Sequence, residues 1–120
     1  MIATYTGTST LARLYDARRW DRSTHESYYL AYPTVLAIDA LESECRRRGY
    51  ALHRWDTASR HCSWIRTISY GITRADVPRP ITSYDGAVLM VQRVTHEGLT
   101  ERSQLAAAID YMSSWLAHQP

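Results

Sequence analysis

The period of the apolar residues changes twice along this chain, and that change limits what it can fold into. In the run of Leu36, Ala37, Ile38, Ala40, Leu41 and Cys45, the residues Ile38, Leu41 and Cys45 fall on one helix face at roughly 3.6-residue spacing. Cys62, Trp64, Ile68, Tyr70 and Ile72 then share one parity, broken only by Arg66, as on a strand with one covered face. Leu105, Ile109, Met112 and Leu116 return to helical spacing. Helices with one apolar face need cover, and a sheet between them in sequence can supply it. The expected fold class is therefore α+β, with an antiparallel sheet of three to five strands and two long helices packed on it.

Local signals set the expected boundaries. Pro33 suits a first helical turn, Thr34 is a candidate cap, and Gly49 suits the position just past a helix end, so a helix is expected over Pro33–Arg48. Thr100 is a candidate cap with Glu101 in the first turn, which places the second long helix at Thr100–Ala117. Strands are expected at Tyr50–Thr57, His61–Thr73 and Ala87–Val94, with a shorter one at Ile81–Tyr84 ahead of the turn pair Asp85–Gly86. A hairpin about Ala58–Ser59 would set Asp56 opposite His61, Trp55 opposite Cys62 and His53 opposite Trp64. Gly71 is a candidate bulge. Residues 1–32 are ambiguous: the Thr-rich stretch to Thr10 favours strand, and Leu11, Leu14, Tyr15 and Arg18 then fall at helical spacing, with Thr8, Ser9 or Thr10 as cap. The expected core is Ile38, Leu41, Ile68, Leu89, Val91, Leu105, Ile109 and Met112.

At 120 residues the chain has room for one domain, residues 1–120, with a core large enough to stand without metal or disulfide. An apolar share of 45% and a charged share of 22% exclude general disorder and low-complexity classes. No apolar run approaches the ~20 residues of a membrane span, and Met1 to Gly7 lacks both a basic start and an apolar segment. The expected setting is the cytoplasm, with no membrane partner. Two Cys fit a reducing compartment and two free, buried thiols.

Three residue types are missing. The chain has no Lys, no Asn and no Phe, against fourteen Arg, nine Tyr and four Trp. The missing types have AT-rich codons, which points to a GC-rich genome. The physical consequence is that every basic side chain is a permanently charged, planar fork and every aromatic ring carries a polar handle. Net charge is only +2, but residues 46–66 alone carry +5 and residues 23–45 carry −4. The basic block either forms one surface for an acidic partner or places Arg46–Arg48 at a helix C-terminus, where cations complement the dipole.

Chemical motifs are incomplete. Cys45, His53, His61 and Cys62 lack paired metal-ligand spacing, and His25-Glu26 and His96-Glu97 lack the second His of a zinc-binding helix. A hairpin that sets Asp56 beside His61, with Ser59 or Ser63 near, makes only a partial nucleophile–base set, and no G-x-S-x-G elbow or glycine-rich phosphate loop exists. No cofactor is expected.

From Pro33 to Leu116 the order helix–strand–strand–strand–helix is similar to that of double-stranded-RNA-binding domains and of ribosome hibernation factors. The RNA-binding family opens its last helix with a basic cluster, whereas this chain has Thr100-Glu101-Arg102-Ser103-Gln104 there. Backbone-phosphate affinity needs several cations at that place, so the similarity is one of topology.

The functional expectation is a small non-enzymatic protein that acts by protein–protein interaction with an acidic surface, through Arg47, Arg48, Arg54, Trp55 and Arg60. Compact GC-rich genes of this kind are common in phage and mobile elements, where occluding a host defence complex is a frequent task. The alternatives are a nucleic-acid-binding module using Arg and aromatic residues of 46–66, and a small enzyme using His53, His61 or His96.

Overall fold

The computed structural model describes residues 4–20, 32–58, 65–77, 88–97 and 101–120. The elements follow in the order α1 (Thr10–Trp20), α2 (Tyr32–Arg47), β1 (Tyr50–Ala58), β2 (Ile65–Arg74), β3 (Val88–Glu97) and α3 (Glu101–Ala117). The fold is α+β, and its described strands form an antiparallel sheet in the order β1-β2-β3. Helix α2 packs on β1 and on α1, and α3 packs on β3 and on α2. The expected strand at Ile81–Tyr84 and its turn at Asp85–Gly86 lie outside the described residues, as do His61–Trp64 and the expected Thr100 cap.

The two long helices form where their stripes lie. Val35, Ile38, Leu41 and Cys45 are the buried residues of α2. Gly49 follows it with φ +80°, a left-handed conformation that costs glycine nothing, and its N–H closes on Arg46 O at 3.2 Å. The first turn takes in Tyr32 and Pro33, so Thr34 lies inside the helix instead of capping it: proline needs no N–H partner there and holds the helical φ by itself. On α3, Leu105, Ala108, Ile109, Met112 and Leu116 are buried.

The ambiguous N-terminus is helical from Thr10, and residues 4–9 are irregular, so the expected strand is absent there. The reason is capping and side-chain tethering. Ser9 Oγ accepts from Ala12 N at 3.1 Å and donates to Glu42 Oε2 on α2. Tyr5 OH accepts from Ser9 N at 2.8 Å and donates to Asp39 Oδ1 at 2.5 Å, while Tyr5 N donates to Asp16 Oδ2 at 3.1 Å. Gly7 passes against the Tyr5 ring so closely that an added Cβ would stand 2.3 Å from Tyr5 OH. A backbone whose groups are used this way has no ladder to join.

The β1–β2 register differs from the expected hairpin. Tyr50 pairs with Arg74, His53 with Gly71, Arg54 with Tyr70, Asp56 with Ile68 and Ala58 with Arg66. Ala58–Ser59 has no residue suited to positive φ, as a two-residue hairpin turn requires, and the strands pair through to Ala58 instead. The slip is odd, so it exchanges the faces of β1 relative to β2. Tyr50, Leu52 and Arg54 now share the helix-facing side with Tyr70 and Ile72, and His53 lies on the other side with Ser69, Gly71 and Thr73.

A second correction concerns Leu89, which is 40% exposed although expected in the core. Ile72 pairs with Met90 and Thr73 with Val88, so Leu89 is the extra residue of a bulge, without a partner across the strands and next to Met90, which shares the helix-facing register with Ile72. The bulge therefore sits on β3, and Gly71 is regularly paired. The side chains of Ile68 and Val91 lie outside the described residues. The other expected core residues, Ile38, Leu41, Leu105, Ile109 and Met112, are buried.

Cutting Leu105 or Ile109 to Ala should cost about 2–5 kcal/mol, because each leaves a cavity between α3 and the sheet. Leu36→Ala, at a position 43% exposed, should cost a fraction of that in the same denaturant titration.

Candidate functional site

The described arginines of the basic block 46–66 do not stay together when the chain folds. Arg46 and Arg47 close α2, as expected of cations at the negative end of a helix. Arg47 is exposed and forms a two-pronged pair with Glu44, Nε to Oε2 at 2.9 Å and one terminal nitrogen to Oε1 at 2.5 Å. Arg48 turns the other way. Its Nε reaches the same Glu44 Oε1 at 2.7 Å, and a terminal nitrogen donates to Leu116 O at 2.8 Å and Gln119 O at 3.0 Å, at the end of α3.

Arg54 turns inward and is half-buried. Its Nε donates to Tyr15 OH at 2.9 Å, its guanidinium carbon lies 5.5 Å from the Tyr15 ring centre, and Tyr15 OH is hydrogen-bonded to Tyr70 OH. Tyr15 and Tyr70 are each 1% exposed. Burial works against the charge of Arg54, but attraction and hydrogen bonds from Tyr15 and Tyr70 outweigh it and raise the guanidinium above its ordinary value. Trp55 pairs with Ser69 in the sheet register; its side chain, and all of Arg60, lie outside the described residues. Of the five residues read from sequence as binding residues, the structure joins Arg47 and Arg48 through Glu44 and sets Arg54 apart, half-buried against Tyr15.

The histidines are equally divided. His53 is buried, with Nε2 at 2.8 Å from Thr73 Oγ1. Thr73 Oγ1 donates its hydrogen to Arg74 O at 3.1 Å, so His53 Nε2 is the donor of that pair. Asp56 lies opposite Ile68, so the expected hairpin pairing with His61 is not formed; His61 is outside the described residues, as is the side chain of His96. Cys45 is a free, buried thiol, pushed up to about 11 by burial and by the carboxylates of Glu42 and Glu44. Among the described residues no cluster of three or more His, Cys, Asp or Glu is placed to hold a metal ion, and no helix is long and apolar enough to cross a membrane.

What the fold does build is a corner where the end of α2, the start of β1 and the end of β2 meet. An open cleft of about 420 Å³ there is lined by Arg48, Gly49, Tyr50, Arg74, Ala75 and Asp76. Ala75 N donates to Gly49 O at 3.0 Å and ties its two turns together. Arg74 is exposed directly across the strands from Tyr50, and the Tyr50 ring lies 6.2 Å from Trp115, tilted by 57°. Trp115 in turn borders a second open cleft of about 360 Å³, with Tyr111, Ser114 and His118. Tyr111 is 56% exposed. A basic edge thus runs into an aromatic one across two elements that are distant in sequence.

Sequence reasoning missed Arg74, Tyr50, Tyr111 and His118 as a set. Trp115 was visible as a flank of the α3 stripe, and the rest depends on the β1–β2 register. Compared with known protein families, curated proteins and solved structures, the chain matches none.

Glu44 carries a pH signature. Hydrogen bonds from Arg47 and Arg48 hold its carboxyl down at about 2, against an ordinary 4.5. A carboxyl lowered on folding stabilises the fold fully above its unfolded value and loses that contribution as pH falls through its folded value. The melting-temperature difference between the native chain and Glu44→Gln should stay constant from neutral pH to somewhat above 4.5 and vanish by about 2. Cys45, studied with Cys62→Ser in place, should resist alkylation at neutral pH in the folded chain and react readily in denaturant.

Proposed function

We propose that this chain is a non-enzymatic binding protein whose α2–β1 corner covers an acidic surface on a protein partner. The observation that carries this reading is the run Arg74–Tyr50–Trp115–Tyr111, with Arg47 exposed nearby in sequence at the end of α2. Arg, Tyr and Trp are the residues whose contacts most often dominate protein interfaces. A guanidinium gains most where a carboxylate loses water on contact, and flanking rings exclude that water. The expectation from composition, that such a protein occludes a host complex on behalf of a phage or mobile element, remains part of this reading, as does a cytoplasmic setting.

Among the described residues, His53 and Cys45 support the same choice. His53 is a buried donor to a threonine, and Cys45 is a buried thiol held in its neutral form. Neither borders the clefts described above.

The test is capture from a nuclease-treated lysate of the chain's own host. The immobilised wild-type chain should retain a protein partner, and Arg47→Glu/Arg74→Glu should lose about tenfold or more of that retention, with association slowed most at low salt. Arg93→Glu/Arg102→Glu makes the same change in net charge at other positions and should retain the partner. Equal retention by both pairs overturns the proposal. Retention that nuclease removes overturns it in favour of a nucleic-acid partner, which would also show a salt slope lowered by the first pair.

A further inference from the structure

We infer that Arg48 is a positioning residue: it fixes the aromatic half of the corner by holding the end of α3 against the end of α2, and it contributes nothing by touching a partner. Its importance for recognition rests on the binding reading above; the positioning itself does not.

The inference starts from a helix that lacks its own cation. Helix α3 has 17 residues and no basic residue in its last turn, where the carbonyls have no intrahelical partners and carry the negative end of the dipole. Backbone bonds from His118 N to Trp115 O and from Gln119 N to Leu116 O, both 3.1 Å, tighten that end, and the Gln119 side chain adds a second bond to Trp115 O at 3.1 Å. His118 Nδ1 lies 2.7 Å from Ser114 O one turn back, and the guanidinium that bonds the carbonyls beyond it comes from outside α3. Arg48 donates to Leu116 O and to Gln119 O, spanning the tightened turn.

The guanidinium is itself oriented. Glu44, one helical turn back on α2, takes Arg48 Nε at 2.7 Å, which leaves the terminal nitrogen directed at α3. The Arg48 side chain is 24% exposed, against 67% for Arg47, although both pair with the same carboxylate. Two adjacent arginines with one shared partner are thus divided in role by what lies beyond that partner. Next to the clamp stands the residue it serves. Trp115 is immediately before Leu116, its own carbonyl anchors His118 and Gln119, and its ring meets Tyr50. If the turn frays, Trp115 loses the geometry that keeps it beside Tyr50 and at the edge of the second cleft.

Lysine could not replace this arginine. Its ammonium is a single point on a flexible stem, whereas the fork serves a carboxylate at Nε and two carbonyls at a terminal nitrogen at once. A lysine should restore part of the clamp and not all of it.

The experiment needs no partner. The chain is labelled with 5-fluorotryptophan, and the Trp115 fluorine resonance is assigned by its loss in Trp115→Phe. In Arg48→Met the Trp115 resonance should shift and broaden, the other tryptophan resonances should hold, and the amides of His118 and Gln119 should exchange about tenfold faster or more. Arg48→Lys should lie between Met and wild type, and Arg47→Met should match wild type. Ile109→Ala serves as a destabilised control, in which exchange rises across the core without selecting residues 118 and 119. If Arg48→Met fails to fold, Arg48→Lys carries the same comparison. An unchanged Trp115 resonance with unchanged exchange at His118 and Gln119 overturns the inference. A second arm returns to the nuclease-resistant protein that the wild-type chain retains: Arg48→Met should weaken its capture with Arg47 and Arg74 intact, and full capture despite a shifted Trp115 overturns the role in recognition. If charge reversal at Arg47 and Arg74 leaves capture intact, the binding reading falls while the fluorine and exchange data still decide the positioning.

Discussion

A guanidinium drawn inward cannot shed its charge, so whatever surrounds it must answer that charge, and half-buried Arg54 joins three elements of this molecule for that reason. Its partners come from two other elements, Tyr15 on α1 and Tyr70 on β2, and Arg54 itself stands on β1 directly across from Tyr70. One cation therefore joins the N-terminal helix to two strands. The same constraint recurs at Arg19, buried with Asp16 at 2.8 Å and lying 5.0 Å over the ring of Tyr32. A chain without lysine or phenylalanine places arginine and tyrosine where others place ammonium at the rim and plain rings within. Each such residue brings a polar group indoors that must be bonded, and here those bonds tie elements together: Tyr5 to Asp39, Ser9 to Glu42, Tyr15 to Tyr70.

That same chemistry decides which parts of the fold can be read from the sequence. Helices α2 and α3 were legible because their buried faces are apolar and their ends carry local signals, Pro33 and Gly49 above all. Helix α1 was obscured because its buried face includes Tyr15, Asp16 and Arg19, and hydrophobic periodicity does not register polar residues that fold inward in pairs. The strands were legible as strands and not as a register. Both faces of β2 are covered, Tyr70 and Ile72 on one side and Ser69 and Thr73 on the other, so alternation alone cannot say which parity of β1 it meets. Leu89 shows the same limit at one residue: a bulge leaves no mark in an apolar run.

The candidate site follows from the register. With the expected hairpin, Arg54 would share a face away from Tyr70 and join Arg47 and Arg48 outside. With the observed one, it faces Tyr70, and Arg47, Arg48 and Arg54 of the +5 block become an exposed fork, a clamp and a half-buried cation. Charge summed over a window of sequence describes a surface only if the window folds as one, and the adjacent Arg47 and Arg48 at a helix end already part, one to solvent and one to α3. Arg74 and Tyr50 were beyond reach for the complementary reason. They are opposite each other across strands whose pairing no local signal specifies.

Arg47 and Arg48 meet the same carboxylate with opposite consequences for binding. An exposed ion pair contributes little to the fold, because water screens it and long side chains lose freedom in making it. The fork between Arg47 and Glu44 is of that kind, so exchanging Glu44 for another protein's carboxylate would replace like with like at small cost. Arg48 is held on three sides, and turning it outward would strip two carbonyls of α3 of their cation. On the proposed reading, the basic edge therefore has one arginine free to change partners and one that must not, and Glu44 lets the first leave without releasing the second. A partner that draws Arg47 away leaves the whole of Glu44 to Arg48, which favours the clamp and with it the aromatic edge that the same partner meets.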